Sequence, residues 1–331
     1  MLPTDPIDAI EEPSSALSGV TAASAKPGLK KTAATITRNF TSLLLGRLGC
    51  QVFNFTTNAY LARKIAPAGF GAIGVAQAIM GYLGLFSDSG LNVIAMREGA
   101  QNPSGMQALI GSITGLRLVL SCAFLPVGLL AAEFLPSLSD SSRTVLRIFA
   151  LSLPLGAVAL DWVFRALQRM QYNAILQVAT AFLTLVLTLA LVRGPHDLVR
   201  VPWAGIAAGA GVFLLSLHLL ARTGHRLSVN LRLQESLHYL AHSFPLCAAS
   251  LAVTLYTLAN NLILGQVHGD AEVGIYVAAT KLAGMCFVST WIFHAAMSPA
   301  LMGLYVRSRQ DAARLLTESV RFTAVAGCGI V

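Results

Sequence analysis

YNAILQVATAFLTLVLTLALV, residues 172–192, decides the fold. It runs for about 20 residues without a charge, enough at 1.5 Å per residue to cross a hydrocarbon core about 30 Å thick. In lipid such a segment must be helical, because every backbone N–H and C=O has to find its partner inside it. Comparable runs lie near 39–61, 70–94, 106–134, 144–165, 202–222, 240–264 and 271–303, and another begins near 315. The runs near 106–134 and 271–303 exceed a simple crossing, which implies tilt or extension into water. The sequence therefore predicts an all-α polytopic membrane protein.

Composition agrees. Of 331 residues, 55% are hydrophobic and 11% charged, against about 25% charged in soluble domains. The net charge of +8 would suggest nucleic acid in a soluble chain. Here Lys and Arg stand singly between apolar runs, so no nucleic-acid partner is expected and the bases report topology. With the N-terminus in the cytoplasm, inner segments carry fourteen bases, from Lys26 to Arg321, and outer loops carry six: Arg63, Lys64, Arg143, Arg147, Arg193 and Arg200. A multi-pass membrane protein is expected, with its N-terminus inside.

Four regions are expected: a disordered tail at 1–38, a six-helix lobe at 39–222, an interfacial linker at 223–239 and part of a second lobe at 240–331. The tail is polar, with acids before bases, unlike a signal peptide. The linker is the one connection with room for an amphipathic helix. An offset of 203 lays Asn58, Leu61, Gly71 and Ala76 on Asn261, Leu264, Gly274 and Ala279. Six spans separate the copies, which implies two six-helix lobes in the same orientation, the second incomplete in this chain.

Polar residues inside the spans carry the functional information, since a charge at the bilayer centre costs at least about 2.5–3.5 kcal/mol. Arg47, Gln51, Asn54 and Asn58 follow one another by four, three and four, on one face of the first span. Such a stripe serves either helix–helix hydrogen bonding or a water-filled cavity. Gln77, Gly81, Gly84, Asp88 and Asn92 form a similar stripe on the second span, where Asp88 could pair with Arg47. Arg117 and Asp161 fall in the cytoplasmic halves of the third and fourth. Each of these charges reads as a snorkelling or structural pair, or as cavity lining. Lys281 lies near mid-membrane on the eighth span, lining a cavity or bracing Asn260 or Asn261. The balance is cationic and suits an anionic passenger.

No G-x-x-x-x-G-K-[ST], H-E-x-x-H, G-x-S-x-G or C-x-x-C occurs. Neither metal nor cofactor is expected, and no connection is large enough for a catalytic domain. The five cysteines, Cys50, Cys122, Cys247, Cys286 and Cys328, read as inert buried thiols.

Four short runs resemble one family. Tyr60-Leu-Ala-Arg-Lys-Ile-Ala-Pro-Ala-Gly-Phe-Gly71 is similar to the first loop of the bacterial polysaccharide-export flippases. Ser87-Asp-Ser-Gly-Leu-Asn92, with Arg97-Glu98, resembles the end of that family's second helix. Asp161-Trp-Val-Phe164, with Gln168 and Met170, resembles the end of its fourth. Val273-Gly-Ile-Tyr276 through Ala279-Thr-Lys281 resembles the start of its eighth. The family is that of the O-antigen and capsule lipid-linked oligosaccharide flippases, in the superfamily that also holds multidrug antiporters. Departures are Arg165-Ala166, where the family often has Gln-Gly, and Asn261, near which it often has an Asp. Its members usually have twelve to fourteen spans.

The resemblance implies a non-enzymatic transporter, for surface polysaccharide biosynthesis, of undecaprenyl-diphosphate-linked oligosaccharide. Its partners would be that lipid-linked substrate, the bilayer and other polysaccharide-assembly membrane proteins. Arg47 and Arg117 would meet the diphosphate and Gln51, Asn54 and Asn58 the sugars. Lys281 would add to the cationic cavity, and Asp88 or Asp161 would couple to a proton or cation. A multidrug or small-solute antiporter, and a membrane polymerase or ligase, are the alternatives. The first would favour an acidic cavity, and the second needs a sizeable outer loop.

Overall fold

The computed structural model describes residues 27–134, 138–231 and 233–284, and single positions between 313 and 323. Every regular element among them is helical. The chain divides into two units, Met1–Thr41 and Ser42–Val331. Of the first, 27–41 are described, and they are helical. Residues 27–38, expected in the disordered tail, thus belong to α1 (Pro27–Lys64). Pro27 suits a first helical position, and alanines and lysines after it favour propagation.

In the second unit, six helical segments are long and apolar enough to cross a bilayer: Pro67–Gln101, Pro103–Phe134, Asp140–Ala166, Met170–Leu191, Arg200–Ala221 and His238–His268. They correspond to the second through seventh predicted spans. The first predicted span is helical as the latter part of α1 but does not reach that apolarity, because its polar stripe interrupts it. The eighth is helical over 270–284. Its remainder, most of the ninth, Cys286, Cys328, residues 1–26 and the bases at 232, 307, 309 and 314 lie outside the described residues.

Two spans are less regular than their hydropathy suggests. The second is α2 (Pro67–Asp88) followed by α3 (Leu91–Gln101). Ser89 and Gly90 between them adopt left-handed backbone, φ 47° and 76°, which glycine accepts freely. A Cβ on Gly90 would also lie 3.0 Å from the Ser243 carbonyl. The third span is α4 (Met106–Phe134). The fourth, predicted as one helix over 144–165, is broken into α5 (Asp140–Ala150), α6 (Leu153–Ala157) and α7 (Asp161–Ala166). Pro154, without an N–H, begins the break. Then follow α8 (Met170–Leu191), α9 (Arg200–Ala221), α10 (Leu233–His268) and α11 (270–284). In the turn before α9, Asp197 accepts from the Arg193 and Gly194 amides and pairs with Arg200 at 2.8 Å. Those amide bonds, with Arg200 adding, hold its carboxyl below the usual range.

The linker is not an amphipathic helix where it follows α9. Residues 225–231 form no regular element and lie along the first turns of α4. The Gln107 amide accepts from the Arg226 N–H at 3.0 Å and donates to the Arg226 carbonyl at 2.8 Å. The Asn230 N–H donates to the Gly111 carbonyl at 3.0 Å. A Cβ on Gly115 would lie 2.9 Å from the Asn230 carbonyl. Backbone bonds to α4 therefore replace those a helix would make.

Two apolar cores close the two ends of the bundle. One gathers Leu91, Met106, Ile110, Ile113, Trp162, Phe164 and Leu220. The other gathers Leu61, Ile65, Phe70, Val145, Leu146, Val273 and Val277. In the second core α2 and α11 meet backbone to backbone. A Cβ on Gly71 would lie 1.7 Å from the Asp270 carbonyl, and one on Gly274 2.0 Å from that of Pro67. These glycines are mates at the offset of 203, so the repeat-related helices cross at repeat-related positions. Beside the crossing the Asp270 carboxylate accepts from Ser139 and Ser142 at the start of α5. Large apolar side chains such as Phe182, Leu214, Phe244 and Tyr256 face outward. A lipid solvent accounts for that surface, and the chain is a multi-pass membrane protein.

Candidate functional site

The stripe of α1 and the lysine of α11 meet across a cavity of about 520 Å³. Gln51, Asn54 and Asn58 line one wall, Lys281 the other, and Phe70 and Arg63 complete it. Lys281 Nζ donates to Asn58 Oδ1 at 2.6 Å and lies 5.4 Å from the Phe70 ring centroid. Asn58 Nδ2 donates back along its own helix to the Asn54 carbonyl at 2.7 Å. That bond fixes the amide so that its oxygen faces the ammonium. Asn260, considered above as a brace for Lys281, instead donates to the Tyr276 hydroxyl at 2.9 Å. None of the lining residues is acidic. The described wall thus carries two cations and three amides, suited to oxyanions and hydroxyl groups.

Asp88 and Arg117 stand elsewhere. The Asp88 carboxylate lies 3.3 Å from Arg117 Nε, so its partner is Arg117 and not Arg47. Arg117 is 6% exposed. Its Nη1 donates to the Ala159 carbonyl at 3.2 Å and its Nη2 to that of Gly156 at 3.0 Å. Both carbonyls belong to the break between α6 and α7. The Gly156 carbonyl also accepts from the Ala159 N–H at 3.2 Å, so the acceptor that Arg117 alone fills among the described residues is the Ala159 carbonyl, in the break. It borders a second cavity, of about 390 Å³, with Gln77, Ser87, Asp88 and Ser121. Ser87 Oγ and Ser121 Oγ are buried without a partner among the described residues, and a polar space of this size accommodates water.

Asp161 lines a third cavity, of about 410 Å³, with Asn173, Gln177 and Thr180. It pairs with Arg165 one turn later. Ser152 and Gly156 border both this cavity and the second, so the broken span divides them. Arg47 is exposed and is not among the residues lining the first cavity. The eight candidate residues thus divide: Gln51, Asn54, Asn58 and Lys281 come together, Asp88 pairs with Arg117, Asp161 pairs with Arg165 beside the third cavity, and Arg47 is not among the residues lining the first. The sequence reading missed Arg63, assigned to an outer loop. Its signal is its place five residues after Asn58, next to the continuation of the stripe, from which a long side chain can turn back.

The profile of the polysaccharide biosynthesis protein family matches residues 36–303. Two curated relatives each bear the name "Putative O-antigen transporter". The one from Escherichia coli (strain K12) is 22% identical over 229 residues, 68% of this chain and 55% of its own length. The one from Shigella dysenteriae is 25% identical over 252 residues, 74% of this chain and 62% of its own length. The chain therefore spans less than two thirds of the length of these relatives. Among solved structures, the MATE multidrug transporter DinF-BH superposes with a TM-score of 0.64 at 14% identity, covering 92% of this chain and 73% of that one. A MOP superfamily transporter from Pyrococcus furiosus gives 0.56 at 14% identity, covering 89% and 70%. At these identities the likeness is one of fold.

Proposed function

The chain belongs to the polysaccharide biosynthesis protein family, and from that premise we propose that it is a transporter that flips undecaprenyl-diphosphate-linked oligosaccharide across the bacterial inner membrane. The observation that carries the proposal is the first cavity, where Lys281 and Arg63 face three amides with no acid among the lining residues. A diphosphate and a run of sugar hydroxyls cannot cross lipid bare, since each unpaired polar group costs on the order of 2–7 kcal/mol. The cations would meet the diphosphate and Gln51, Asn54 and Asn58 the sugars, while the tail stays in the bilayer. Two lobes rocking about the fixed site would expose it to each side in turn.

The assignment differs from the sequence reading in one part: Lys281 and Arg63, rather than Arg47 and Arg117, are the diphosphate ligands. A cationic drug would meet repulsion in this cavity, which disfavours the antiporter alternative. The test is complementation of a deletion strain with Lys281→Gln and Arg63→Gln. The expected result is loss of surface polysaccharide at normal protein level, with lipid-linked repeats accumulating on the cytoplasmic leaflet. Normal polysaccharide in both variants would overturn the reading. Repeats accumulating unpolymerised on the outer leaflet would favour an enzyme.

A further inference from the structure

The Lys281 ammonium is held in an unusual way. Lys281 is half-buried, and a cation drawn out of water is ordinarily matched by a carboxylate. Among the described residues Lys281 has one neutral amide oxygen, that of Asn58 at 2.6 Å, and one aromatic face, that of Phe70. Asn58 cannot turn to offer more, since its Nδ2 is bound to the Asn54 carbonyl at 2.7 Å. The bond spans 223 residues. It joins α1, which opens the first lobe, to α11, the helix that carries the second copy of the repeat.

We propose that the Asn58–Lys281 hydrogen bond is a tie between the lobes that a phosphate anion breaks on entering the cavity. The proposal rests on the reading of the cavity as an anion carrier and adds how occupancy reaches the lobes. An ammonium has three donors, and the two that Asn58 leaves let a phosphate engage Lys281 before the amide bond is given up. A phosphate oxygen carries formal charge, so it outcompetes an amide oxygen for the same ammonium in a space of low dielectric. The four-carbon stem lets Nζ swing from one acceptor to the other without moving α11. Arg63 on the same wall gives the anion a second contact that the amide lacks. The amide thus matches Lys281 well enough to keep the empty cavity folded and poorly enough to release it. A carboxylate at position 58 would hold too tightly.

The experiment uses the full protein in nanodiscs with its five cysteines replaced. Spin labels go on the exposed positions Val52 of α1 and Ile275 of α11 as V52C/I275C. Distances are read by double electron–electron resonance, and binding of inorganic pyrophosphate by calorimetry. Pyrophosphate is expected to shift the distance distribution of the parent. N58A is expected to show the shifted distribution without ligand. N58D, which keeps the shape of the side chain, is expected to keep the parent distribution and to bind pyrophosphate about tenfold more weakly or worse. Pyrophosphate that binds without any shift overturns the tie and leaves the carrier reading standing. Pyrophosphate that does not bind overturns both. A shift already complete in phosphatidylglycerol nanodiscs, and not in phosphatidylcholine ones, assigns the phosphate to a bilayer headgroup and overturns its assignment to a passenger.

Discussion

A charge inside a membrane protein is informative only once its partners are known, and Arg117 shows why. As a sequence residue it is a cation in the inner half of the third span, and phosphate is a natural partner for it. As a structural residue it donates to the Ala159 and Gly156 carbonyls at the broken fourth span and neutralises Asp88. Removing it strands the Asp88 carboxylate and takes the donor from the half-buried Ala159 carbonyl. Arg117→Met should destabilise the protein by about 3 kcal/mol, the usual consequence of stranding half of a buried pair. Asp88→Asn in the same chain should restore about 1 kcal/mol or more of that loss, because the stranded charge is then gone. Thermal unfolding in detergent measures both. Additive losses would mean that the two side chains do not interact as the 3.3 Å contact requires. The stripe of α1 was more legible, since its spacing alone places Gln51, Asn54 and Asn58 on one wall. Lys281 was legible as a cavity residue too, but its acceptor was not, because a contact across 223 residues leaves no local trace.

Elements were legible where apolarity is continuous and illegible where backbone geometry decides. The second through seventh spans follow from hydropathy with ends shifted by a few residues. Hydropathy does not report hydrogen bonds, so it missed the break after α5 and the non-helical linker on α4. Each is compensated by a residue distant in sequence, Arg117 in one case and Gln107 in the other. The crossing of α2 and α11 lies between these cases: the repeat marked Gly71 and Gly274 as equivalent, while their contact required coordinates. That contact makes a prediction at the scale of the helix pair. Gly71→Ala would force α11 away from α2, because the new methyl would meet backbone, which cannot move aside. A loss of about 1–3 kcal/mol is expected. Gly84→Ala, in the same helix with open space around it, should change stability by no more than about 0.5–1 kcal/mol and in the favourable direction. Gly71→Ala and Gly274→Ala combined should cost less than their sum, because the first already separates the helices. Unfolding midpoints of the four variants decide the matter.

At the scale of the whole molecule, orientation determines which way a passenger moves. The apolar spans permit either orientation, and it is the distribution of bases that chooses. The predicted spans put fourteen Lys and Arg on one side and six on the other, and from that bias we propose that the richer side faces the cytoplasm. The structure supplies two exposed reporters for the two sides: His196, in the turn between α8 and α9, and Arg226, whose side chain is free of the Gln107 grip on its backbone. An odd number of crossings, α9 alone, separates them, so they must lie on opposite faces. In a cysteine-free chain, H196C should react with a membrane-impermeant maleimide in intact spheroplasts. R226C should react only after the membrane is permeabilised. The reverse pattern would put the N-terminus outside, and the proposed passenger would then have to enter from the wrong compartment for export. Labelling of both sites without permeabilisation would show that α9 does not cross. Because both substitutions replace exposed polar side chains, each variant should keep parental stability within about 0.5 kcal/mol. The labelling therefore reports topology and not misfolding.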